Sequence, residues 1–264
     1  MNNDQLINKK FNILQRKKIL KDSEKFIYNE IANRINDSLE GVNFAVNKCL
    51  EIGATSENIY KYLLGRSKTI EYSVLDISED LLKILPKNIN TYCFDHDGWK
   101  IDENLFNLII SNFYLDLTNN LDILLSNIYK SLIKGGFFFA SIPGNSFLKE
   151  LKEAMIITDI KIYGGAYRRF KSNNSIQSIS KLLKKNNFNN KLIDIDNIIF
   201  KYENFSKLLI DVRNLGASYM YFDRKNKFEH KEYFKILEKV YWSKFSNNNK
   251  INLTLEIIYF SGWK

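Results

Sequence analysis

Short, continuously apolar runs alternate with longer amphipathic stretches through the middle of the chain. The apolar runs indicate strands, because a parallel strand covered by helices on both faces is apolar at successive positions. The stretches between them carry apolar residues three and four positions apart, which is typical of helices that pack on a core. Five strands are predicted in this way, at residues 48–53, 70–75, 91–94, 106–111 and 137–142.

This alternation predicts a doubly wound α/β fold with a mainly parallel sheet and helices on both faces. Helices are expected at residues 56–64, 78–85 and 121–133. Ser78 stands where a side chain caps the second of these helices. The glycine pair at 135–136 is expected to end the third helix before the fifth strand begins.

The two flanks of this core have a different pattern. One or two amphipathic helices are expected within residues 5–40, where the apolar stripe consists of Phe26, Ile27, Ile31, Ile35 and Leu39. The chain from 146 to 190 reads as helical and polar. Beyond it, strands are expected at 192–199 and 252–260 and helices at 205–215 and 229–245. The last two strands would complete a seven-stranded sheet.

Composition supports a folded protein and gives little support to a nucleic-acid partner. The 264 residues are enough for one large domain, or for one core with an insertion. The chain is 45% hydrophobic and 26% charged, as in globular proteins. The net charge of +9 comes from scattered lysines. With the abundant Asn and Ile, this indicates the general basicity of an AT-rich bacterial genome, and a nucleic-acid surface is the minor alternative.

The cysteines and the apolar runs bear on localisation. Cys49 and Cys93 lie in strand-like stretches and are expected to be small buried hydrophobes, with no disulfide framework or zinc site. A reducing compartment follows as the default. The first residues lack the apolar core of a secretion signal, and no run approaches the roughly 20 apolar residues of a membrane span. The expectation is a soluble, cytoplasmic protein.

Acidic residues recur at the carboxyl ends of the first three predicted strands, where such sheets bind ligands. Glu51 and Gly53 lie at the end of the first strand, Asp76 ends the second and Asp95 follows the third. Asp76 is placed to accept hydrogen bonds from two ribose hydroxyls, and Asp95 to bind an adenine amino group. Taken singly, Asp76 could be a helix-capping residue and Asp95 a loop residue. Their common register favours ligand binding.

The chain carries no hydride-transfer or phosphate-loop motif, which favours S-adenosylmethionine over a dinucleotide as the nucleoside ligand. The predicted organisation then has four parts. They are N-terminal helices at 1–45, an S-adenosylmethionine-binding Rossmann core at 46–145, a helical cap at 146–191, and C-terminal strands and helices at 192–264 that complete the sheet.

Five stretches carry a resemblance to a known family, and it extends from about Phe11 through Lys264. They are residues 106–112 (FNLIISN), 144–151 (GNSFLKEL), 193–196 (IDID), 211–217 (DVRNLGA) and 259–264 (YFSGWK). In these the chain resembles the complex I assembly arginine hydroxylases, a methyltransferase-like family. It is also similar to their relatives, the malonyl-acyl-carrier-protein O-methyltransferases of biotin synthesis, and the Gly-Trp-Lys ending points to the assembly branch.

The resemblance implies a Rossmann-like class I methyltransferase fold with S-adenosyl-L-methionine as cofactor. It implies that Glu51, Gly53, Asp76 and Asp95 line the cofactor site. It also implies a protein or acyl-carrier-protein substrate, which is either methylated on a carboxylate or hydroxylated on an arginine. Neither the residues nor the resemblance identifies a general base or another catalytic residue.

The chain departs from the family pattern at two places. At the first turn the family has acid-x-Gly-x-Gly-x-Gly, but here Thr55 and Glu57 replace the later glycines. Glu57 is expected to bring a carboxylate near the methionine carboxylate of the cofactor, unless Lys61 or Arg66 compensates its charge. After the fourth strand the family has a His-Trp pair, where this chain has Asp116-Leu117.

Other candidates are weaker. The run 95–97 (DHD) is too small a set for a metal site, so no metal is expected. Residues 167–169 (YRR) either contact an acidic partner or form a solvent-facing turn. Residues 219–222 (YMYF) and the three tryptophans, at 99, 242 and 263, are expected to serve in packing.

Two interpretations follow from these residues. In the first, the chain is an enzyme that holds its cofactor with Glu51, Gly53, Asp76 and Asp95 and admits its substrate through the cap around residues 163–170. In the second, it is an assembly or binding protein that keeps the fold without the cofactor. The altered first turn motivates the second interpretation.

Overall fold

A computed structural model describes the chain over residues 7–21, 25–43, 46–53, 57–67, 69–95, 98–170, 174–216 and 229–264, with the backbone alone at 18–21. In this part of the chain the strands form one mixed sheet in the order β3-β2-β1-β4-β5-β8-β6, with a short β7 paired to β8. The first five strands are mutually parallel, and β8 is antiparallel to both of its neighbours, β5 and β6. The expected mainly parallel α/β sheet is confirmed.

The strands are β1 (Lys48–Ile52), β2 (Glu71–Asp76), β3 (Asn90–Cys93), β4 (Phe106–Asn112), β5 (Leu132–Pro143), β6 (Asn189–Tyr202), β7 (Ser246–Asn247) and β8 (Lys250–Trp263). The helices are α1 (Lys9–Lys21), α2 (Phe26–Glu40), α3 (Asn58–Arg66), α4 (Glu79–Lys83), α5 (Leu121–Ser131), α6 (Lys149–Tyr163), α7 (Ile176–Lys185), α8 (Phe205–Asn214) and α9 (Lys231–Phe245). Two helices therefore precede the first strand, and the apolar stripe predicted within residues 5–40 lies in the second of them.

Helices cover both faces of the sheet, so its central strands bury alternate side chains in two separate cores. In β5, Phe137 and Phe139 pack with α2, α6 and α9, whereas Phe138 packs with α5 and α7. The stripe on α2 faces the first core, where Ile27, Ile31, Ile35 and Leu39 are buried. This two-sided burial explains the continuously apolar runs.

The boundary between α5 and β5 differs from the prediction. The helix ends at Ser131, and β5 begins at Leu132 and runs through the glycine pair 135–136 that was expected to stop the helix. Leu132 is already paired with Phe106 of β4. Pairing with a neighbouring strand, which local propensity does not register, moves the boundary.

Two further expectations are wrong. Cys93 is exposed, because it ends β3 at the edge of the sheet, whereas Cys49 is buried as expected. Ser78 precedes α4, but its side chain does not cap the helix. Its backbone N–H instead donates to Oδ1 of Asp76 at 2.8 Å.

The Gly262-Trp263-Lys264 stretch stabilises the junction between α5 and β5. Trp263 packs on Phe137, with ring centroids 4.6 Å apart. The Lys264 ammonium donates to the carbonyl oxygens of Lys130 and Leu132 at 3.0 and 2.6 Å, which satisfies acceptors at the end of α5. At Gly262, an added Cβ would lie 2.8 Å from Cβ of the buried Phe188. This stretch therefore has a packing role.

We predict that Gly262→Ala lowers the free energy of unfolding by about 1–3 kcal/mol, because Phe188 must move from a filled core. Urea unfolding followed by circular dichroism measures the change. Gly65→Ala is the control, since a Cβ at Gly65 in α3 meets no atom within 4 Å. The control should be as stable as the wild type or more stable by up to about 1 kcal/mol, because alanine has the higher helix propensity. Equal stability of the two variants would contradict the packing role of Gly262.

Candidate functional site

The carboxyl edge of the sheet brings the predicted site residues to adjacent strand ends. Glu51 in β1 is level with Val74 in β2, and Asp76 at the end of β2 is level with Cys93 in β3. Gly53 follows β1 directly, and Asp95 lies two residues beyond the end of β3. Parallel strands end on one side of a sheet, so these positions border a common region.

Asp76 is completely buried and forms an ion pair with Arg16 of α1. The Nη2 atom of Arg16 contacts Oδ2 of Asp76, and its Nε lies 3.5 Å from Oδ1. The Arg16 side chain is only 3% exposed and that of Asp76 is not exposed at all. Burial works against the charge of Arg16, but the Asp76 carboxylate and the nearby Tyr114 and Tyr28 rings outweigh it, so the pKa of Arg16 is raised.

Tyr114 closes the same region from the other side. The Arg16 guanidinium lies 4.7 Å from the centre of the Tyr114 ring, a cation–π distance. The Tyr114 hydroxyl accepts a hydrogen bond from the backbone N–H of Ile77 at 3.3 Å. The ring also packs on Gly53, where an added Cβ would lie 2.4 Å from Tyr114 side-chain atoms. Position 53 therefore requires glycine for two reasons. Its φ of +89° is unfavourable for other residues, and the Tyr114 ring leaves no space for a side chain.

Helix α1 lies across the ends of β2 and β3 with its polar face inward. The buried face contains Asn12 and, three and four positions later, Gln15 and Arg16. These side chains are at most 3% exposed, whereas Leu14 on the opposite face is 55% exposed. The helix makes two further ion pairs with acids of this edge. Lys9 contacts Asp95, and Lys17 lies 2.7 Å from Asp80.

Glu51 is also buried, at 2% exposure, and its Oε2 accepts a hydrogen bond from the Tyr72 hydroxyl at 2.7 Å. Its Oε1 has no hydrogen-bond partner among the described residues. Burial raises the pKa of Glu51 to about 8, and the bond from Tyr72 offsets only part of the effect. The neutral carboxyl group is therefore favoured near neutral pH.

These contacts test whether the residues fit the nucleoside expected from the sequence. A ribose diol needs accessible oxygens on Asp76, but both are already engaged, by Arg16 and by the N–H of Ser78. The Tyr114 ring lies against Gly53, the glycine expected to let the ligand approach. As arranged here, the residues do not fit an adenosyl ribose at Asp76. Arg16 would have to leave the carboxylate first.

The altered first turn lies only partly within the described residues, and Thr55 is outside them. Glu57 makes a salt bridge of 2.9 Å with Lys61, which lowers the pKa of the Glu57 carboxyl group. Arg66 instead donates to the carbonyl oxygens of Leu39 and Val42 at 2.7 and 3.2 Å. Of the two cations considered for charge compensation, Lys61 is the one that pairs with Glu57.

The Asp116-Leu117 pair, which replaces the family's His-Trp, belongs to a 3-10 turn at Leu115–Leu117. The Oδ1 atom of Asp116 accepts from the Asn174 amide at 2.9 Å. A hydrogen bond therefore fixes this carboxylate to the segment that precedes α7.

In the 167–169 run, the two arginines lie in different environments. Arg169 contacts buried Asp159 through Nη2 and, at 2.9 Å, through Nε, and it lies 2.8 Å from Glu229. Tyr233 also donates to Asp159, at 3.0 Å. Arg169 therefore links α6 to the start of α9 from within the protein, while Arg168 is exposed to solvent.

The remaining candidates give no additional site. His96, Asp97 and the 219–222 run lie outside the described residues. Within the described ranges, His, Cys, Asp and Glu do not form any group of three or more that could hold a metal ion. No helix in this part of the chain is long and apolar enough to cross a membrane.

Three participants were not predicted from the sequence: Arg16, Tyr114 and Tyr72. One signal was present for Arg16, because it shares a helix face with the polar residues Asn12 and Gln15. A polar stripe on a short helix usually faces solvent, so the pattern alone gave no reason to expect burial. Tyr114 and Tyr72 are aromatic residues in or next to strands and could not be told from core residues.

Comparison with known proteins identifies the domain type. A family model described as a methyltransferase domain matches residues 24–192, more than half of the chain. Among curated relatives, the mitochondrial arginine-hydroxylase NDUFAF5 of Dictyostelium discoideum is 26% identical over 260 residues, covering 90% of this chain and 59% of the relative. This chain thus spans less than two thirds of that protein.

Two more relatives are similarly distant. Human arginine-hydroxylase NDUFAF5 is 25% identical over 244 residues and covers 90% of this chain and 70% of the relative. A malonyl-[acyl-carrier protein] O-methyltransferase of Ilyobacter polytropus is 24% identical over 242 residues, with 88% and 87% covered.

Solved structures agree on the fold. The YcgJ protein from Bacillus subtilis matches with a TM-score of 0.57 at 12% identity, covering 89% of this chain and 98% of that chain. A SAM-dependent methyltransferase from Thermotoga maritima matches with a TM-score of 0.53 at 14% identity, covering 96% and 99%. At such identities the likeness shows the class I Rossmann-like fold alone.

We predict that Glu51 makes stability fall with rising pH. Folded Glu51 keeps its proton up to about pH 8, whereas the unfolded chain releases it near its ordinary value of 4.5. The free energy of unfolding contributed by Glu51 therefore decreases between these values, by on the order of 1 kcal/mol per pH unit. Glu51→Gln keeps an oxygen for Tyr72 but has no charge, so it should gain stability relative to the wild type as pH rises. Urea unfolding at a series of pH values tests this, and parallel curves for the two proteins would refute it.

Proposed function

This chain belongs to the methyltransferase-domain family, and we propose that it is an S-adenosylmethionine-dependent protein of the complex I assembly type that acts on a protein substrate. The NDUFAF5 relatives of Dictyostelium discoideum and Danio rerio support the assembly type, since their matches cover 90% and 93% of this chain. The fold does not distinguish methylation from hydroxylation, because the reaction is set by the chemistry of the site.

The observation that carries the proposal is the acid at the end of β2. Asp76 is completely buried, yet its carboxylate has a cationic partner that belongs to α1 and not to the sheet. A buried carboxylate needs such a partner, because an isolated charge is strongly disfavoured in a protein interior. We propose that Arg16 holds Asp76 when the cofactor is absent, and that the ribose hydroxyls replace Arg16 when it binds.

Glu51 supports the same site. Its Oε1 is buried without a hydrogen-bond partner among the described residues, and such an atom is stabilised when a donor reaches it. In the proposed complex, Glu51 would accept from the polar end of the cofactor, and Gly53 would border it once Tyr114 has moved. S-adenosylmethionine supplies the activated methyl group, and the residues of this chain bind and orient it.

The second candidate function is a cofactor-free assembly protein. The same Arg16–Asp76 pair favours it, because a charge partner within the chain satisfies Asp76 without any ligand. The replacement of the later first-turn glycines by Thr55 and Glu57 favours it as well. A third candidate, methylation of an acyl-carrier-protein substrate, rests on the Ilyobacter relative.

Calorimetry with S-adenosylmethionine and S-adenosylhomocysteine tests the proposal. We predict that the wild type binds, that Asp76→Ala does not, and that Arg16→Gln binds about tenfold more tightly because the competing cation is gone. Glutamine can still donate a hydrogen bond to Asp76, which limits the destabilisation. Lys17→Gln is the matched control, because it removes the same charge from α1 at an exposed pair and should leave the affinity unchanged.

The other outcomes separate the alternatives. If neither the wild type nor Arg16→Gln binds at millimolar ligand while circular dichroism shows both folded, the cofactor-free function is correct. If Arg16→Gln binds more weakly than the wild type, Arg16 holds the ligand and does not exclude it.

A further inference from the structure

A second concave region lies at the same edge of the sheet, away from Asp76. It is a cleft of about 730 Å³, open to solvent, between the start of α2, the end of β6 and the start of α8. Since β5 and β6 are both antiparallel to β8, β6 ends on the same side of the sheet as β2. Lys25 also lines a smaller pocket that contains Glu51 and Glu57, so the cleft adjoins the candidate cofactor site.

The lining of this cleft is cationic. Lys25, Lys201, Lys207 and Lys250 line it, together with the acids Glu203 and Asp211. Lys250 forms a 3.0 Å salt bridge with Glu203. The other three lysines have no salt-bridge partner in the described part of the chain. We call this region, defined by these four lysines, the lysine cleft.

Lys25 is the least solvated of the four. It is half-buried, and burial lowers the pKa of its ammonium group, an effect that Glu57 opposes and Arg16 reinforces. A half-buried cation without a salt-bridge partner is stabilised when an anion reaches it. The helix dipole of α8 adds positive potential, because Asn204, its N-cap residue, also lines the cleft.

The cleft also has an apolar wall. Phe26 and Phe200 meet edge to face with ring centroids 5.1 Å apart, and Phe26 is 37% exposed. Next to them, Tyr202 is buried, and burial together with the neighbouring Asp211 carboxylate raises the pKa of its hydroxyl, so this phenol is directed to Asp211. Paired aromatic rings beside cations favour a ligand that has both an anionic and an aromatic or aliphatic part.

We infer that the lysine cleft binds an acidic segment of a partner protein, with an apolar side chain of that segment against Phe26 and Phe200. Complementary charge sets the class of ligand, since exposed Lys201 and Lys207 and half-buried Lys25 lie beside one apolar wall and form no salt bridge with any described residue. The cleft is open rather than enclosed, which suits a length of polypeptide. The inference rests on the proposed function in one respect, that the substrate or partner is a protein.

Fluorescence polarisation with the full chain tests this inference. The probe is a fluorescein-labelled peptide of glutamates around a central phenylalanine, and affinity is measured at increasing salt. We expect binding that weakens with salt, and a loss of about tenfold or more in the double variant Lys201→Glu/Lys207→Glu. The control is Lys181→Glu/Lys184→Glu, which makes the same charge change on the exposed face of α7 and should bind the probe like the wild type.

A second probe tests the apolar wall. Replacing the central phenylalanine of the peptide by glycine should weaken binding to the wild type, and Phe200→Ala should weaken binding of the original peptide but not of the glycine peptide. An equal loss in both double variants would mean that only the net charge is sensed, and it would overturn the inference. Tighter binding of a single-stranded DNA of the same charge, with the same loss in the cleft variant, would overturn it in favour of a nucleic acid.

These outcomes are independent of the cofactor experiment. The peptide is measured without and with S-adenosylhomocysteine. Peptide binding that depends on the cleft in a protein that binds no cofactor would leave the inference standing and reject the proposed enzyme. Cofactor binding without any peptide binding would support the proposed enzyme and reject the inference about the lysine cleft.

Discussion

The ion pair between Arg16 and Asp76 determines how the carboxyl edge of this sheet is arranged. The fold places an acid at the end of β2, and the packing of neighbouring elements removes it from water. A buried carboxylate is tolerated only with a close cationic partner, and loss of one member of such a pair costs about 3–5 kcal/mol. The partner comes from α1, a helix outside the Rossmann core. The position of α1, its inward polar face and the placement of Tyr114 against Gly53 are all consistent with this requirement.

Because Asp76 needs a partner, Arg16 and a ribose diol would compete for the same carboxylate. Asp76 cannot accept hydrogen bonds from a ribose diol while Arg16 stays in place, because its side chain is completely buried under Arg16 and the neighbouring backbone. Two further ion pairs, Lys9 with Asp95 and Lys17 with Asp80, attach α1 to the same edge but are more exposed and contribute less. In the proposed complex, displacement of Arg16 would therefore depend mainly on what replaces it at Asp76. A ligand that offers two hydroxyls but no charge must supply the remaining free energy through contacts elsewhere, which makes Glu51 and the first turn decisive.

Much of the fold could be predicted because strands that are buried on both faces of the sheet appear in the sequence as continuously apolar runs. The runs at 106–111 and 137–142 fall within β4 and β5, Asp76 ends β2, and Asp95 lies two residues beyond β3. What could not be predicted depended on neighbours distant in sequence. β5 begins at Leu132 because β4 is there to pair with it, and Cys93 is exposed because β3 has a neighbour on one side only. Arg16 is a harder case, since its burial depends on an acid 60 residues away. Local patterns of polarity carry no information about such a partner.

The resemblance to the assembly family has a physical basis that differs from one motif to another. The Gly262-Trp263-Lys264 stretch packs on Phe188 and Phe137 and satisfies carbonyl groups at the end of α5, so its presence reports the fold and not the reaction. The first turn, where Thr55 and Glu57 replace glycines of the family pattern, belongs to the proposed cofactor site and would bear directly on cofactor binding. The shared packing motifs affect the free energy of folding, whereas the altered turn affects the free energy of cofactor binding. Similarity in the packing motifs therefore does not compensate for the altered turn. Glu57 forms a salt bridge with Lys61. Because this cation partly neutralises Glu57, Glu57 would repel a cofactor carboxylate less than an unpaired glutamate would. For the proposed cofactor, the larger cost would then be the displacement of Arg16 from Asp76 and not charge repulsion at the turn.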